Sequence, residues 1–303
     1  FGELAARQPL AAGRRGASQP GAFFVPDHYF INGDDSYASR YVKWLPTAAL
    51  RFEPNERWAF YGAVGRGYET PTLNELAYQA GAGGVNTNLR PSSNLSYELG
   101  AKGFVAGGWL TAALFLTSTK DEIVTLANMG GRTTFQNAGR TRRRGFELSW
   151  DHQTSSYWRT QLAYTYLDAR YRDGFCSPCA PDPKAEFIPG GRRIPGIPAH
   201  ALYAAFGWMP PQGWHAGAEL RVLSRVYAND FNTASAAGHA TAALHAGYTH
   251  RVGPWELNAF ARVDNVLDRR VIGSVIVNDG NGRFFEPSPG RVWGIGLNAN
   301  YRF

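Results

Sequence analysis

Along most of the chain, large apolar side chains recur at every second position, with small or polar residues between them. The last stretch is typical: Trp293, Ile295, Leu297, Ala299, Tyr301 and Phe303 interleave with Gly294, Gly296, Asn298, Asn300 and Arg302. A period of two puts the two sets on opposite faces of one β-strand. The same alternation sets Leu95, Tyr97, Leu99 and Ala101 against Ser96, Glu98, Gly100 and Lys102, and Phe146, Leu148 and Trp150 against Gly145, Glu147, Ser149 and Asp151. It returns near residues 48, 112, 162, 204, 218, 245 and 259. Trp58 to Arg66 is also strand-like, but both of its faces carry apolar groups and the pattern does not orient it. Together these stretches predict about eleven strands, most close to the length a tilted membrane strand needs.

Alternation alone fits a soluble sandwich or a membrane barrel. Two regularities decide between them. Glu98, Lys102, Glu147, Glu219, Arg221, Glu256 and Arg262 all fall opposite the apolar row. A charge at the lipid midplane costs about 2–4 kcal/mol, so a barrel wall must sort its charges in this way. The connections also alternate in length, short near residues 54, 107, 154, 211 and 253 and long near 80, 130, 185, 233 and 278. Outer-membrane barrels pair short periplasmic turns with long extracellular loops. The predicted fold is therefore all-β, an antiparallel transmembrane β-barrel.

Composition narrows the picture further. Mean hydropathy is -0.33, and apolar runs such as Ala112 to Leu116 fall far short of the roughly 20 residues of a spanning helix. The net charge of +7 would suit nucleic acid if it were clustered. The arginines are instead scattered, with one dense group, Arg140 to Arg144, at the start of a strand. Cations along a lumen or loop would draw an anionic ligand, and no nucleic-acid partner is expected.

The cysteines, Cys176 and Cys179, stand in a Cys-Ser-Pro-Cys loop rich in Pro and Gly. Neither the helix of a redox site nor a second pair of zinc ligands accompanies them, so a local disulfide in an oxidising compartment is expected. His152, His200, His215, His239, His245 and His250 fall in strands or turns and His28 in the leading loop. No local signature joins them to a nucleophile, and no phosphate-binding loop precedes a helix. No catalytic residue, cofactor or resident metal is expected.

Several stretches resemble the C-terminal half of TonB-dependent outer-membrane receptors. Gly65-Arg66-Gly67-Tyr68-Glu69-Thr70-Pro71-Thr72-Leu73-Asn74-Glu75-Leu76 is similar to that family's strand-end motif. Tyr97 to Lys102 resembles its Glu-Leu-Gly-x-Lys strand, and Gln136-Asn137-Ala138-Gly139 with Gly145-Phe146-Glu147 its Asn-x-Gly block. Asp264-Asn265-Val266-Leu267-Asp268 and Pro289-Gly290-Arg291 with Phe303 resemble its last motifs.

The resemblance implies an importer of ferric siderophores or similar scarce cofactors, driven through TonB, in the Gram-negative outer membrane. Such transporters have barrels of about 22 strands around a plug, so this chain is expected to be a partial barrel. Residues 1–42 are expected to be an irregular segment and 43–303 the C-terminal part of the barrel. The plug, TonB box and signal peptide would precede Phe1, and the chain is expected to be a fragment or truncated product. Implied partners are outer-membrane lipid and lipopolysaccharide, the TonB system through the plug, the siderophore or cofactor ligand, and the barrel assembly machinery. Ligand contacts are expected from Arg66, Tyr68, Tyr78, Arg192, Arg193, Arg225, Tyr227, Asn278, Arg283 and Arg291. The competing reading is a small self-closing outer-membrane barrel acting as a passive pore or hydrolase.

Overall fold

The computed structural model describes residues 38–79, 85–153, 157–177 and 186–303. His28, most of the 1–42 segment, most of the turn after Gln153 and Cys179 lie outside the described residues.

Eleven long strands form one antiparallel sheet in which every strand pairs with its neighbours along the chain. They are β1 (Thr47–Asn55), β2 (Trp58–Glu69), β3 (Ser92–Val105), β4 (Gly108–Lys120), β5 (Thr141–Gln153), β6 (Trp158–Tyr171), β7 (His200–Trp208), β8 (Gly213–Leu223), β9 (His239–Val252), β10 (Trp255–Asp264) and β11 (Val292–Tyr301). The first and last strands are the sheet's two edges and do not pair with each other. Strand β11 stops at Tyr301, two residues before the end of the expected strand. The turn between β3 and β4 is made by Ala106 and Gly107, both with positive φ. A two-residue hairpin needs that handedness to match the twist of its strands.

Register carries the face assignment from strand to strand. Ala48 pairs with Val64, Val64 with Tyr97, Tyr97 with Leu116 and Leu114 with Phe146. This is the apolar face. It continues through Tyr166 and Tyr164 to Leu202, Val222 and Ala240. On this face Ile295 is 89% and Leu297 83% exposed, as a lipid-facing surface would be.

The register also orients β2, which its own pattern leaves open. Phe60 and Val64 belong to the apolar face, while Tyr61 pairs with Gly100 on the other. The Tyr61 hydroxyl donates to Glu98 at 2.6 Å, and a methyl group added at Gly100 would overlap the Tyr61 ring. Phe260 lies over Gly296, and His215 and His245 over Gly247 and Gly217, in the same way. A bulky ring can sit on the polar face because the residue opposite it is a glycine.

One end of the sheet is rimmed with rings. Trp158 stacks on Phe206 at 4.8 Å, Trp214 meets Tyr248, and Trp255 meets Tyr301, which meets Phe303. This is the end of the short turns, and it carries the girdle expected of a membrane interface.

The connections at the other end are not plain loops. Four hold hairpins: Ile123–Met129 with Arg132–Asn137, Phe175–Ser177 with Glu186–Ile188, Val226–Tyr227 with Ser235–Ala236, and Ile272–Val275 with Phe285–Pro287. Most of these strands are too short for a period-two reading, since two to four residues make no period; the hairpin at 123–137, with strands of seven and six residues, is the exception. The fifth holds a helical turn, Leu73–Leu76. Thr72 and Glu75 cap it reciprocally, with the Thr72 N–H donating to the Glu75 carboxylate at 2.7 Å and the Glu75 N–H to the Thr72 hydroxyl at 3.3 Å. The Thr-Leu-Asn-Glu motif is thus a capping box. Among the described residues, the buried apolar core lies in this loop region and comprises Val124, Ala138, Ala169, Tyr171, Phe175, Ile188 and Ile194.

Candidate ligand vestibule

All five long connections, residues 70–91, 121–140, 172–199, 224–238 and 265–291, leave the sheet at the same end. Antiparallel order with tight turns at the opposite end requires this. Their polar contacts are mutual. Asp230 is buried and accepts from the Tyr171 hydroxyl at 2.6 Å and the Asn278 amide at 2.8 Å. The Asn278 amide also donates to the Thr125 carbonyl at 2.7 Å, and its Oδ1 accepts from the Asp230 N–H at 3.1 Å. Main-chain bonds from Asn278 to Ala228 and from Asn128 to Asn278, both 3.0 Å, complete the clasp. One asparagine therefore joins the 121–140, 224–238 and 265–291 connections to the end of β6. Its φ of +53 is one that asparagine adopts more readily than most residues.

The other loop motifs are clasps too. The Asn137 side chain accepts from the Arg90 N–H at 2.7 Å and donates to the Arg90 and Asp121 carbonyls. Asn265 bonds both ways to the Arg269 backbone, and Asp268 accepts from the Arg291 N–H at 2.9 Å, fixing the entry to β11.

Electrostatics in the loops follow burial and pairing. Burial pushes the Asp230 carboxyl above the usual aspartate range, against the hydrogen bonds from Tyr171 and Asn278. Burial works in the same direction on Glu122, but bonds from Arg143 and Thr141 outweigh it and hold its carboxyl below the usual range. The Arg140 guanidinium holds Asp173 low at the exposed rim.

Beneath the last connection, the polar face of the sheet forms a cleft of about 310 Å³ lined by Glu219, Arg221, Thr241, Arg262, Asp264, Asn265, Ser288 and Gly290, among others. Arg262 bridges Glu219 at 2.6 Å and Asp264 at 2.9 Å. Larger hollows of about 560 and 680 Å³ open mainly between the alanines and tryptophans of the apolar face. They are grooves for lipid rather than sites for a polar ligand.

The expected contact residues separate into groups. Arg193, Tyr227 and Asn278 meet in the knot: Arg193 exchanges backbone bonds with the Asn232 side chain, and Tyr227 accepts from the Gly196 N–H. Asn278 has its amide and carbonyl oxygen engaged by the protein itself. Tyr78 lies beside the hairpin at 132, with the Arg132 guanidinium 4.9 Å from its ring centroid. Arg192, Arg225, Arg283 and Arg291 are exposed on three connections. Arg66 and Tyr68 stand apart at the end of β2, where Lys43 lies 5.6 Å from the Tyr68 ring centroid. Cys176 is disulfide-bonded. Tyr171, Asp230, Asn128 and Asn232, which organise the vestibule, do not stand out in the sequence. The Asn-Asp-Phe-Asn run at 229–232 is the available signal.

Comparison with known proteins fits this geometry. The family described as TonB dependent receptor-like, beta-barrel matches residues 17–266. A probable TonB-dependent siderophore receptor, PiuA of Acinetobacter baumannii, is 26% identical over 200 residues, covering 61% of this chain and 25% of the relative. The crystal structure of PiuA from that organism aligns with a TM-score of 0.66 and 21% identity over 94% of this chain and 37% of that one. The copper transporter OprC gives 0.64 at 19% identity, covering 84% and 39%. The ferric yersiniabactin uptake receptor FyuA of Yersinia pestis gives 0.62 at 20% identity, covering 86% and 37%. At these identities the solved structures speak for the fold alone. The chain spans a quarter of the length of this curated relative and under two-fifths of these solved structures.

Proposed function

We propose, because this chain belongs to the TonB-dependent receptor-like β-barrel family, that it forms one side of the wall and outer vestibule of an outer-membrane importer for a ferric siderophore or similar metal chelate. The family consists of outer-membrane receptors and transporters rather than enzymes. In this reading residues 43–303 form the wall, the short turns face the periplasm, and the five long connections face outward. Energy would come from the TonB system through a plug carried elsewhere in the complete receptor.

The observation that supports this best is the knotted vestibule around Asp230 and Asn278, set over a wall whose mid-span charges, such as Glu98, Glu147, Glu219 and Arg262, lie on the face opposite the apolar row. Exposed arginines around such a vestibule suit chelates that present carboxylate, hydroxamate or catecholate oxygens, through charge-assisted hydrogen bonds. Of the expected contacts, Arg66, Tyr78, Arg192, Arg225, Arg283 and Arg291 are exposed, and we assign ligand capture to the five that lie on the long connections, Tyr78, Arg192, Arg225, Arg283 and Arg291. The cleft beneath the last connection is the onward polar surface.

Growth of a receptor-deletion strain, complemented with the full-length protein, on a panel of iron–siderophore and other metal chelates tests this. One class should rescue growth, and rescue should need an intact proton-motive force. Correctly assembled receptor that rescues growth on none of them would sink the proposal.

A further inference from the structure

The cleft beneath the last connection carries a chain of alternating charge. Arg262 of β10 reaches across β9 to Glu219 of β8 at 2.6 Å and holds Asp264 at 2.9 Å. The other oxygen of Glu219 lies 3.5 Å from the Arg221 guanidinium. The order is thus Asp264, Arg262, Glu219, Arg221, with a carboxylate at one end and a guanidinium at the other. The reach across β9 is open because the residue opposite Glu219 is Ala243, too small to stand in the way.

The two inner members satisfy each other, and the two ends are left over. Glu219 and Arg262 side chains are 16% and 33% exposed, against 50% for Asp264 and 66% for Arg221. Asp264 has Arg262 as its one ion-pair partner among the described residues, and Arg262 is shared with Glu219. Arg221 has only the long contact to Glu219, and its guanidinium lies 5.7 Å from the ring centroid of Tyr203, its partner in register on β7. Thr241 is opposite Arg221 on β9, and Ser288 lines the cleft from the last connection. Each end of the chain therefore keeps unused hydrogen-bonding capacity, of opposite sign.

Height places the cleft on the path of a ligand. Arg221 stands eight residues above Gly213 on β8, and Asp264 is the last residue of β10. At about 3.3 Å per residue and a tilt near 40°, Arg221 is about 20 Å above the short turns. The cleft is thus at the outer end of the polar face, under the vestibule.

Charge complementarity selects what fits there. Catecholate oxygens suit Arg221 but would meet Asp264 with like charge, and hydroxamates bring no cation for it. A group carrying both a carboxylate and an ammonium satisfies the two ends at once. The volume of about 310 Å³ lies at the lower end of small-molecule pockets, roughly 300–1,000 Å³. It holds one end of a chelate rather than the whole.

We propose that this cleft binds the amphoteric end of an aminocarboxylate metal chelate, with its carboxylate on Arg221 and Thr241 and its ammonium on Asp264. Glu219 and Arg262 hold the two ends in place. This rests on the import reading and narrows it, from chelates with anionic oxygens to those that also carry a protonated amine.

The test uses full-length receptor in mild detergent and two complexes of ferric iron with a hexadentate chelator. One is ferric ethylenediaminetetraacetate bearing a primary alkylamine arm, and the other is the same complex with that amine acetylated. Isothermal titration calorimetry should show the amine complex binding about tenfold or more tighter, as one charge-assisted hydrogen bond gives. Asp264→Asn should erase that preference, while Arg221→Gln should weaken both complexes. Arg51→Gln, on the polar face of β1, should change neither. Equal binding of the two complexes, a preference that survives Asp264→Asn, or failure of both to bind would overturn the proposal. Heat-modifiable migration checks assembly. If Asp264→Asn fails it, Arg221→Gln, which breaks only a long contact, takes its place, and undiminished binding there overturns the proposal equally. Growth on chelates is followed in parallel. Rescue by other chelates with neither complex bound leaves the import reading standing and sinks the cleft assignment. Amine-dependent binding without rescue by any chelate supports the cleft assignment and sinks import.

Discussion

The wall and the loop cap of this molecule are stabilised by opposite means. In the wall, Ile295 and Leu297 are almost fully exposed, and cohesion comes from the hydrogen-bond ladder and cross-strand pairs. In the cap, Ile188 is 0% exposed within a core closed by polar clasps. Lipid is the solvent of the first region and water that of the second. The same substitution should therefore read differently in each, because an apolar group has little to gain from burial where the solvent is itself apolar.

The matched pair of isoleucines gives the sharpest contrast. Ile188→Ala should cost the cap about 2–5 kcal/mol, the range for emptying a packed site. Ile295→Ala should cost much less, because acyl chains fill the space. Denaturant unfolding in detergent, with loop proteolysis as a second probe, measures both, and equal losses would erase the distinction between the regions. A charge should reverse the order within the wall. Leu297→Arg should cost about 2–4 kcal/mol and impair assembly, while Asn298→Arg on the polar face and Arg302→Leu should be nearly silent in heat-modifiable migration.

Polar clasps should matter chiefly in the cap. Asp230→Ala leaves the Tyr171 hydroxyl and the Asn278 amide without their partner and should cost about 1–3 kcal/mol. Hydrogen exchange should rise in the 121–140, 224–238 and 265–291 connections together while the strands keep their protection. Opening confined to one connection would mean that the knot does not couple them.

The smallest expected effect is a pH slope confined to the cap. Asp230 has a raised carboxyl, so its contribution is fully present below the ordinary aspartate value and lost as pH rises through the higher folded value. Glu122, held low, contributes above the ordinary glutamate value and loses that contribution as pH falls through its folded value. Asp230→Asn should remove the first slope and leave the second.

The same division explains what is legible in the sequence. Lipid imposes a rule on every second residue, so the strands, the apolar face and the phase of short and long connections can be read from the residues alone. Strand β2 is the exception, because Tyr61 is bulky on the polar face and depends on Gly100 of the neighbouring strand for room. A pattern along one strand does not contain its neighbour. The cap is far less legible, since its contacts are distant in sequence and follow no period. Asn278 reaches Thr125 across 153 positions. An asparagine in a loop invites a ligand-binding reading, and only its partners reveal it as a fastener.

The connections at the short-turn end are only two to four residues long. Among the described residues, nothing on that side extends beyond a tight turn. If the proposed import reading holds, news that the vestibule is full would have to pass along the polar face of the wall, and an adaptor beneath the membrane would sense the outer loops through what lies against that face.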